Sequence, residues 1–169
     1  RIKGEKLNLT GSITLFNKEV KRFLKVYQQT IVAPAFTSLL FLLVINVAIA
    51  DRTGYNFNYI DFLGPGLIIM GMMQNAFANT SSSLLSSKVA GNIVDLLMPP
   101  FNVNEIILVY CLAAMIRAIL VGVLTFVIMF PFVNFEVLNI YNLFLYSFLG
   151  SLLLALVGLI AGIWAEKFD

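Results

Sequence analysis

The sequence contains no histidine and a single cysteine, Cys111, and only 12% of its 169 residues are charged. The missing histidine removes the commonest general base and the commonest metal ligand. A lone cysteine excludes an internal disulfide and any multi-cysteine metal site. No G-x-x-x-x-G-K-[ST] run occurs, so the chain does not hold nucleotide through a P-loop. A net charge of +2 gives no reason to expect a nucleic-acid partner. Soluble domains carry roughly 25% charged residues, so this chain has about half the charge needed to coat itself in water.

What is abundant is apolar: 60% of the residues, with a mean hydropathy of +0.92. The charges are also spaced out. None falls between Lys25 and Asp51, between Asp61 and Lys88, between Glu105 and Arg117, or between Glu136 and Glu166. A spanning helix needs roughly 20 mostly apolar residues to cross a hydrocarbon core of about 30 Å. Three of these gaps are long enough alone, and the third in order becomes so if Arg117 is a single charge inside a span. The expected fold is therefore an all-α membrane protein, a polytopic bundle with spans near 30–50, 62–86, 105–130 and 140–164.

The stretches around the spans have their own patterns. Residues 1–11 are polar. Over 12–27, Ile13, Phe16, Val20, Phe23, Leu24 and Tyr27 recur at helical steps, opposite Lys18, Lys21, Arg22 and Lys25. This pattern predicts an amphipathic helix in the membrane interface with its basic side on anionic headgroups; a surface helix against a soluble neighbour is the plainer reading. Span 2 opens with Gly64-Pro65-Gly66 and ends in a polar half containing Gln74, Asn75, Asn79, Thr80, Ser81, Ser82, Ser83, Ser86 and Ser87. Such a half-helix is costly against lipid and should face other helices or water. A short amphipathic helix is expected over 86–97, with Val89, Ile93, Leu96 and Leu97 on one side and Lys88, Asn92 and Asp95 on the other. Pro99-Pro100 stops it. Span 4 carries small residues four apart, Ser151 with Ala155 and Gly158 with Gly162, a pattern that permits close helix approach.

Orientation follows from the basic residues. With a cytoplasmic N-terminus, the inner segments hold Arg1, Lys3, Lys6, Lys18, Lys21, Arg22, Lys25, Lys88 and Lys167, and the outer loops hold Arg52 alone. That is a positive-inside distribution with both ends of the chain inside. The first residue is Arg1 rather than Met, and no secretory signal pattern opens the chain, so a missing start is expected.

Three stretches carry a family likeness. Phe62-Leu63-Gly64-Pro65-Gly66-Leu67-Ile68 opens the second span. Lys88-Val89-Ala90-Gly91-Asn92-Ile93-Val94-Asp95-Leu96-Leu97-Met98-Pro99, followed by Glu105-Ile106-Ile107, connects the second span to the third. Arg117-Ala118-Ile119-Leu120-Val121-Gly122 lies in the third. With the order of elements, these resemble the membrane subunit of ABC-2 type transporters, in particular the small bacterial inner-membrane transport permeases. Members usually have six spans, so 12–169 resembles the first four and the domain is expected to be incomplete at its C-terminal side. Asp95 stands before a proline pair where members often have Glu and a single Pro.

The resemblance implies a permease subunit of an exporter in the bacterial inner membrane. It would bind no cofactor itself, dimerise, and draw on ATP hydrolysed by a separate ABC ATPase subunit. It also implies that the connection 86–97 is a coupling helix docked in a groove of that ATPase. The residues suit that role, with Val89, Ile93, Leu96 and Leu97 as a buried face, Lys88 and Asp95 as rim charges, Gly91 for close approach, and Pro99 with Pro100 as a stiff link to span 3. A plain hairpin between spans is the alternative.

Arg117 is the one charge inside a span, and an intramembrane charge costs at least ~2.5 kcal/mol on insertion scales. With no acidic residue expected in the spans, Gln74, Asn75, Asn79 and backbone carbonyls are the candidate partners. Two readings stand: a translocation path on which Arg117 attracts an anionic substrate group, or a structural anchor between spans 2 and 3. The serine-rich end of span 2 fits either an entrance to the path or helix packing. Rival functions are a secondary transporter, which needs an intramembrane carboxylate or broken helices, and an intramembrane serine hydrolase, for which no histidine exists to activate the serine.

Overall fold

A computed structural model describes residues 9–50, 59–135 and 139–166. Among them the chain forms α1 (Leu9–Lys25), a π-helical stretch (Gln28–Val32), α2 (Ala33–Ala50), α3 (Tyr59–Val89), α4 (Ile93–Leu97), α5 (Val103–Met129) and α6 (Ile140–Trp164), with no strand. The molecule is an all-α membrane protein. Of the residues that argued orientation, Arg1, Lys3, Lys6, Arg52 and Lys167 lie outside the described residues.

Helix ends follow local chemistry. Asn139 caps α6, its side-chain oxygen accepting from the N–H groups of Tyr141 and Asn142 at 3.1 and 3.3 Å. Glu105 reaches back to accept from the Asn102 N–H at 3.0 Å, closing a capping box on α5. At the opposite end of the bundle, the Asp61 carboxylate in the first turn of α3 accepts from the Asn134 N–H at 2.9 Å.

The long helices alternate in direction. Ser38 of α2 faces Gly71 of α3, and Leu42 packs in one cluster with Leu67, so α2 and α3 are antiparallel. Met72 abuts Gly122 and Asn75 bonds Arg117, so α3 and α5 are antiparallel too. Along α3 and α6 the pairing rises together, from Met73 by Gly150 through Thr80 by Gly158 to Leu84 by Gly162, so these two are parallel. The alternation gathers α1, the connection 86–100 and the end of α6 at one face of the bundle.

Three helical stretches, Gln28–Ala48, Val103–Met129 and Ile140–Trp164, are both long and apolar enough to cross a membrane. The polar second half of α3 dilutes its hydropathy, and apart from the exposed Gln74 that half packs against α1, α5 and α6. The small stripe of α6 explains how close α3 comes. Ser151, Ala155, Gly158, Leu159 and Gly162 are all buried. A Cβ on Gly158 would sit 2.2 Å from Thr80 Oγ1 and 2.6 Å from the Phe77 carbonyl oxygen, a collision with backbone that excludes any side chain there.

α1 packs on the bundle through Leu15, Glu19 and Phe23; of the expected apolar series, Ile13, Leu24 and Tyr27 are exposed. Lys18, Lys21 and Lys25 do point outward, but Arg22 turns into the bundle. α1 runs through the π-helical stretch into α2.

Candidate functional site

The connection between α3 and α5 is not one amphipathic helix over 86–97. α3 continues to Val89, the chain turns at 90–92, and α4 is a separate five-residue helix. Gly91 makes the turn, with φ +73, a left-handed conformation in which an L side chain is strained. Gly91, expected to let a partner's backbone come close, has open space where a side chain would stand, and its positive φ makes the break.

That break reassigns the faces. Leu96, expected in a partner's groove, is buried in the bundle core with Leu15, Leu84 and Val109. Ile93 and Pro99 are half-buried, and the Leu97 side chain lies outside the described residues. The exposed apolar side chains here are Val89, Val94 and Met98, the last 74% exposed, with Asn92 and Asp95 exposed beside them. Lys88 does not stand at a rim. Its ammonium donates to the carbonyl of Ile163, and to that of Ala165 at 3.0 Å. There it neutralises the C-terminal end of α6, whose last carbonyls lack helical partners.

A second centre lies where α1, α3 and α5 meet. Glu19 is 1% exposed. One oxygen, Oε2, accepts from Ser83 Oγ at 2.6 Å and lies 3.3 Å from Arg22 Nε. Arg22 Nη2 donates to the Asn79 carbonyl at 3.1 Å and to its side-chain oxygen at 3.3 Å. One turn further along, Arg117 Nη2 donates to Asn75 Oδ1 at 3.0 Å, and Asn75 Nδ2 donates to the Gly71 carbonyl at 2.9 Å. Tyr110 is buried beside Glu19 and Ser83.

Of the residues expected around Arg117, Asn75 bonds it directly and Asn79 serves Arg22. Gln74 is not part of the cluster. One residue before Asn75, it points about 100° away around the helix and is exposed. The acid that reaches the core comes from outside the spans: α1 delivers Glu19, while Asp61 and Glu105 belong to the first turns of α3 and α5. Sequence reading passes over Glu19 because its neighbours are basic. Its signal is the four-residue series Leu15, Glu19, Phe23, in which an acid occupies the middle of an apolar line.

A cleft of ≈ 380 Å³ opens beside this cluster, lined among others by Arg22, Gln29, Thr30, Ser82 and Arg117. Thr30 comes from the π-helical stretch and donates to the Phe23 and Val26 carbonyls at 2.9 and 3.1 Å, holding the bend between α1 and α2.

Residues 11–169 match the family model described as ABC-2 type transporter. Among curated proteins, the chain is 35% identical over 158 residues to the inner membrane transport permease YadH of Escherichia coli strain K12, and equally to those of E. coli O157:H7 and Shigella flexneri. The alignments cover 92% of this chain and 62% of each relative's length. No solved structure matches it significantly.

Proposed function

This chain belongs to the ABC-2 type transporter family, and on that premise we propose that it is the permease part of an ATP-driven exporter in a bacterial inner membrane. In this reading the face that gathers α1, α4 and the end of α6 is cytoplasmic. A separate ATPase subunit docks on the connection 86–100, and two permease subunits enclose the path. ATP serves the partner; nothing in this chain is asked to hydrolyse it.

The observation that carries the docking role is the exposed trio Val89, Val94 and Met98 at the Gly91 break. Val94 and Met98 are four apart and share a hydrogen-bonded turn, so they present one small apolar knob. Asp95 between them supplies a charge for register. Inward, Leu96 ties the same short helix to the core cluster of α3 and α5. A push on the knob therefore reaches the spans through packed side chains, and the proline pair at 99–100 limits how far the link can bend.

The test is co-purification with the ABC ATPase subunit that the family membership implies. Val94→Glu combined with Met98→Glu should leave the permease folded in the membrane while cutting ATPase recovery at least tenfold. Leu96→Glu should instead unfold the inner end. Undiminished ATPase binding by the first variant refutes the assigned docking face.

Secondary transport gains one observation from the structure, because a carboxylate does lie inside the bundle. Glu19, however, is already held by Ser83 and Arg22. A coupling carboxylate must exchange its proton or ion during transport, and this one is engaged as a structural partner, so the exporter reading is favoured.

A further inference from the structure

The cleft at the α1–α2 bend faces two guanidinium groups and no carboxylate of its own. Arg22 has its counter-ion in Glu19. Arg117 has none: its one hydrogen bond goes to the neutral Asn75 side chain, and its Nε is buried with no partner. Among the described residues, the protein thus brings two positive charges to one cleft and answers only one of them. A half-buried cation left in this condition, with its Nε out of reach of any partner, favours an anion from outside.

The cleft wall specifies what kind. Arg22 and Arg117 offer planar donors suited to tetrahedral oxyanions. Gln29, Thr30 and Ser82 add neutral polar groups, and Phe23, Val26 and Ala78 an apolar lining. The π-helical stretch that supplies Gln29 and Thr30 interrupts regular helix at this point, a distortion frequent at functional sites. An apolar wall beside paired guanidiniums suits a phosphate that carries a hydrocarbon neighbour.

We propose that this cleft is a binding site for a phosphate group, as presented by an anionic phospholipid headgroup or by free phosphate, with Arg117 as its main ligand and Arg22 as the second. The site stands on this geometry and not on the exporter assignment; loss of ATPase binding at Val94 and Met98 leaves it unaffected.

The purified protein in neutral detergent, freed of endogenous lipid, is titrated with short-chain phosphatidylglycerol, with phosphatidylcholine of the same chain length, and with inorganic phosphate, reading the unfolding temperature. Phosphatidylglycerol raises it and phosphatidylcholine does so much less. A rise with inorganic phosphate alone, of the same saturable size, identifies free phosphate as the occupant; a rise with phosphatidylglycerol only identifies the lipid. Arg117→Gln weakens the response at least tenfold, while Arg117→Lys keeps most of it. Ser82→Asp, which places a negative charge on the lining without touching either arginine, also suppresses it and serves if Arg117→Gln does not fold. Equal responses to both lipids with none to phosphate, or a wild-type response in Arg117→Gln or Ser82→Asp, overturn the site.

Discussion

The two ends of the bundle differ in what is added to their apolar packing. At the end away from α4, Leu42, Leu67, Met129 and Val133 close a cluster of apolar side chains, with Leu39, Leu63 and Ile68 packed around it. At the end near α4, an apolar cluster that includes Leu15, Leu84, Leu96 and Val109 is joined by a ladder of polar contacts, built around the Glu19–Arg22 ion pair of α1, that ties α1 to α3 and α3 to α5 and α6. Lipid tails are as apolar as leucine, so the first kind of contact gains only packing, whereas the second avoids leaving polar groups in hydrocarbon. The end proposed to meet a partner is thus the one where buried donors and acceptors add direction to apolar packing. Such contacts have discrete alternatives, and interfaces built from them can switch between arrangements.

The sharpest way to break this contrast is to remove the buried acid. Glu19→Ala strips the counter-ion from Arg22 and the acceptor from Ser83 at once. Glu19 is 1% exposed while the Arg22 side chain is 32% exposed, so the loss read from the unfolding midpoint falls below the ~3–5 kcal/mol of a fully buried pair but still exceeds that of a single apolar truncation at the other end. Replacing both members, Glu19→Leu with Arg22→Leu, should recover most of the loss, because no orphaned charge remains. A double variant no more stable than Glu19→Ala would mean that Arg22 is held mainly by Asn79.

The matched change at the apolar end is smaller. Leu42 is 1% exposed, yet in a bilayer the term for leaving water is absent and Leu42→Ala loses mainly its packing. A cavity term of this kind is on the order of 1–2 kcal/mol. Measured by the same denaturation, the ratio between Glu19→Ala and Leu42→Ala tests the comparison directly. Equal losses would show that the two ends are not held differently.

The same contrast decides what sequence can reveal. The apolar end is legible because α2, α5 and α6 declare themselves by long absences of charge, and nothing but length and hydropathy is needed to place them. The polar end is only half legible. Asn75 beside Arg117 is among the expected partners, since a charge inside a span must find a polar neighbour. Glu19 with Ser83, however, joins residues 64 positions apart, and no periodicity within one helix announces a contact made between two. The faces of the connection escape sequence reading for a related reason. Leu96 and Val94 look equally apolar in sequence; only the left-handed turn at Gly91 resets the helical phase and sends Leu96 inward and Val94 outward. A glycine in a charged, short segment does not disclose whether it serves close packing or a positive φ.

The smallest expected effect refines the polar end rather than breaking it. Thr80 Oγ1 donates to the Ala155 carbonyl at 2.9 Å across the α3–α6 contact, while also lying 3.1 Å from the Phe77 carbonyl of its own helix. Interhelical hydrogen bonds in membranes average only about 0.6 kcal/mol, because the hydroxyl finds a backbone partner in the separated helix as well. Thr80→Val keeps the branched shape that fills the space opposite Gly158 and removes the donor alone. Its midpoint should therefore fall by a few tenths to about 0.6 kcal/mol, well below Leu42→Ala. Thr80→Ser keeps the hydroxyl and opens a gap of one methyl, and it isolates the packing share of the same contact. If Thr80→Val proves the more damaging of the two by more than about 1 kcal/mol, the α3–α6 seam is held by its hydrogen bond. If Thr80→Ser does, the seam is held by the fit of two backbones around Gly158, and the polar character of this end rests on the arginines and Glu19 alone.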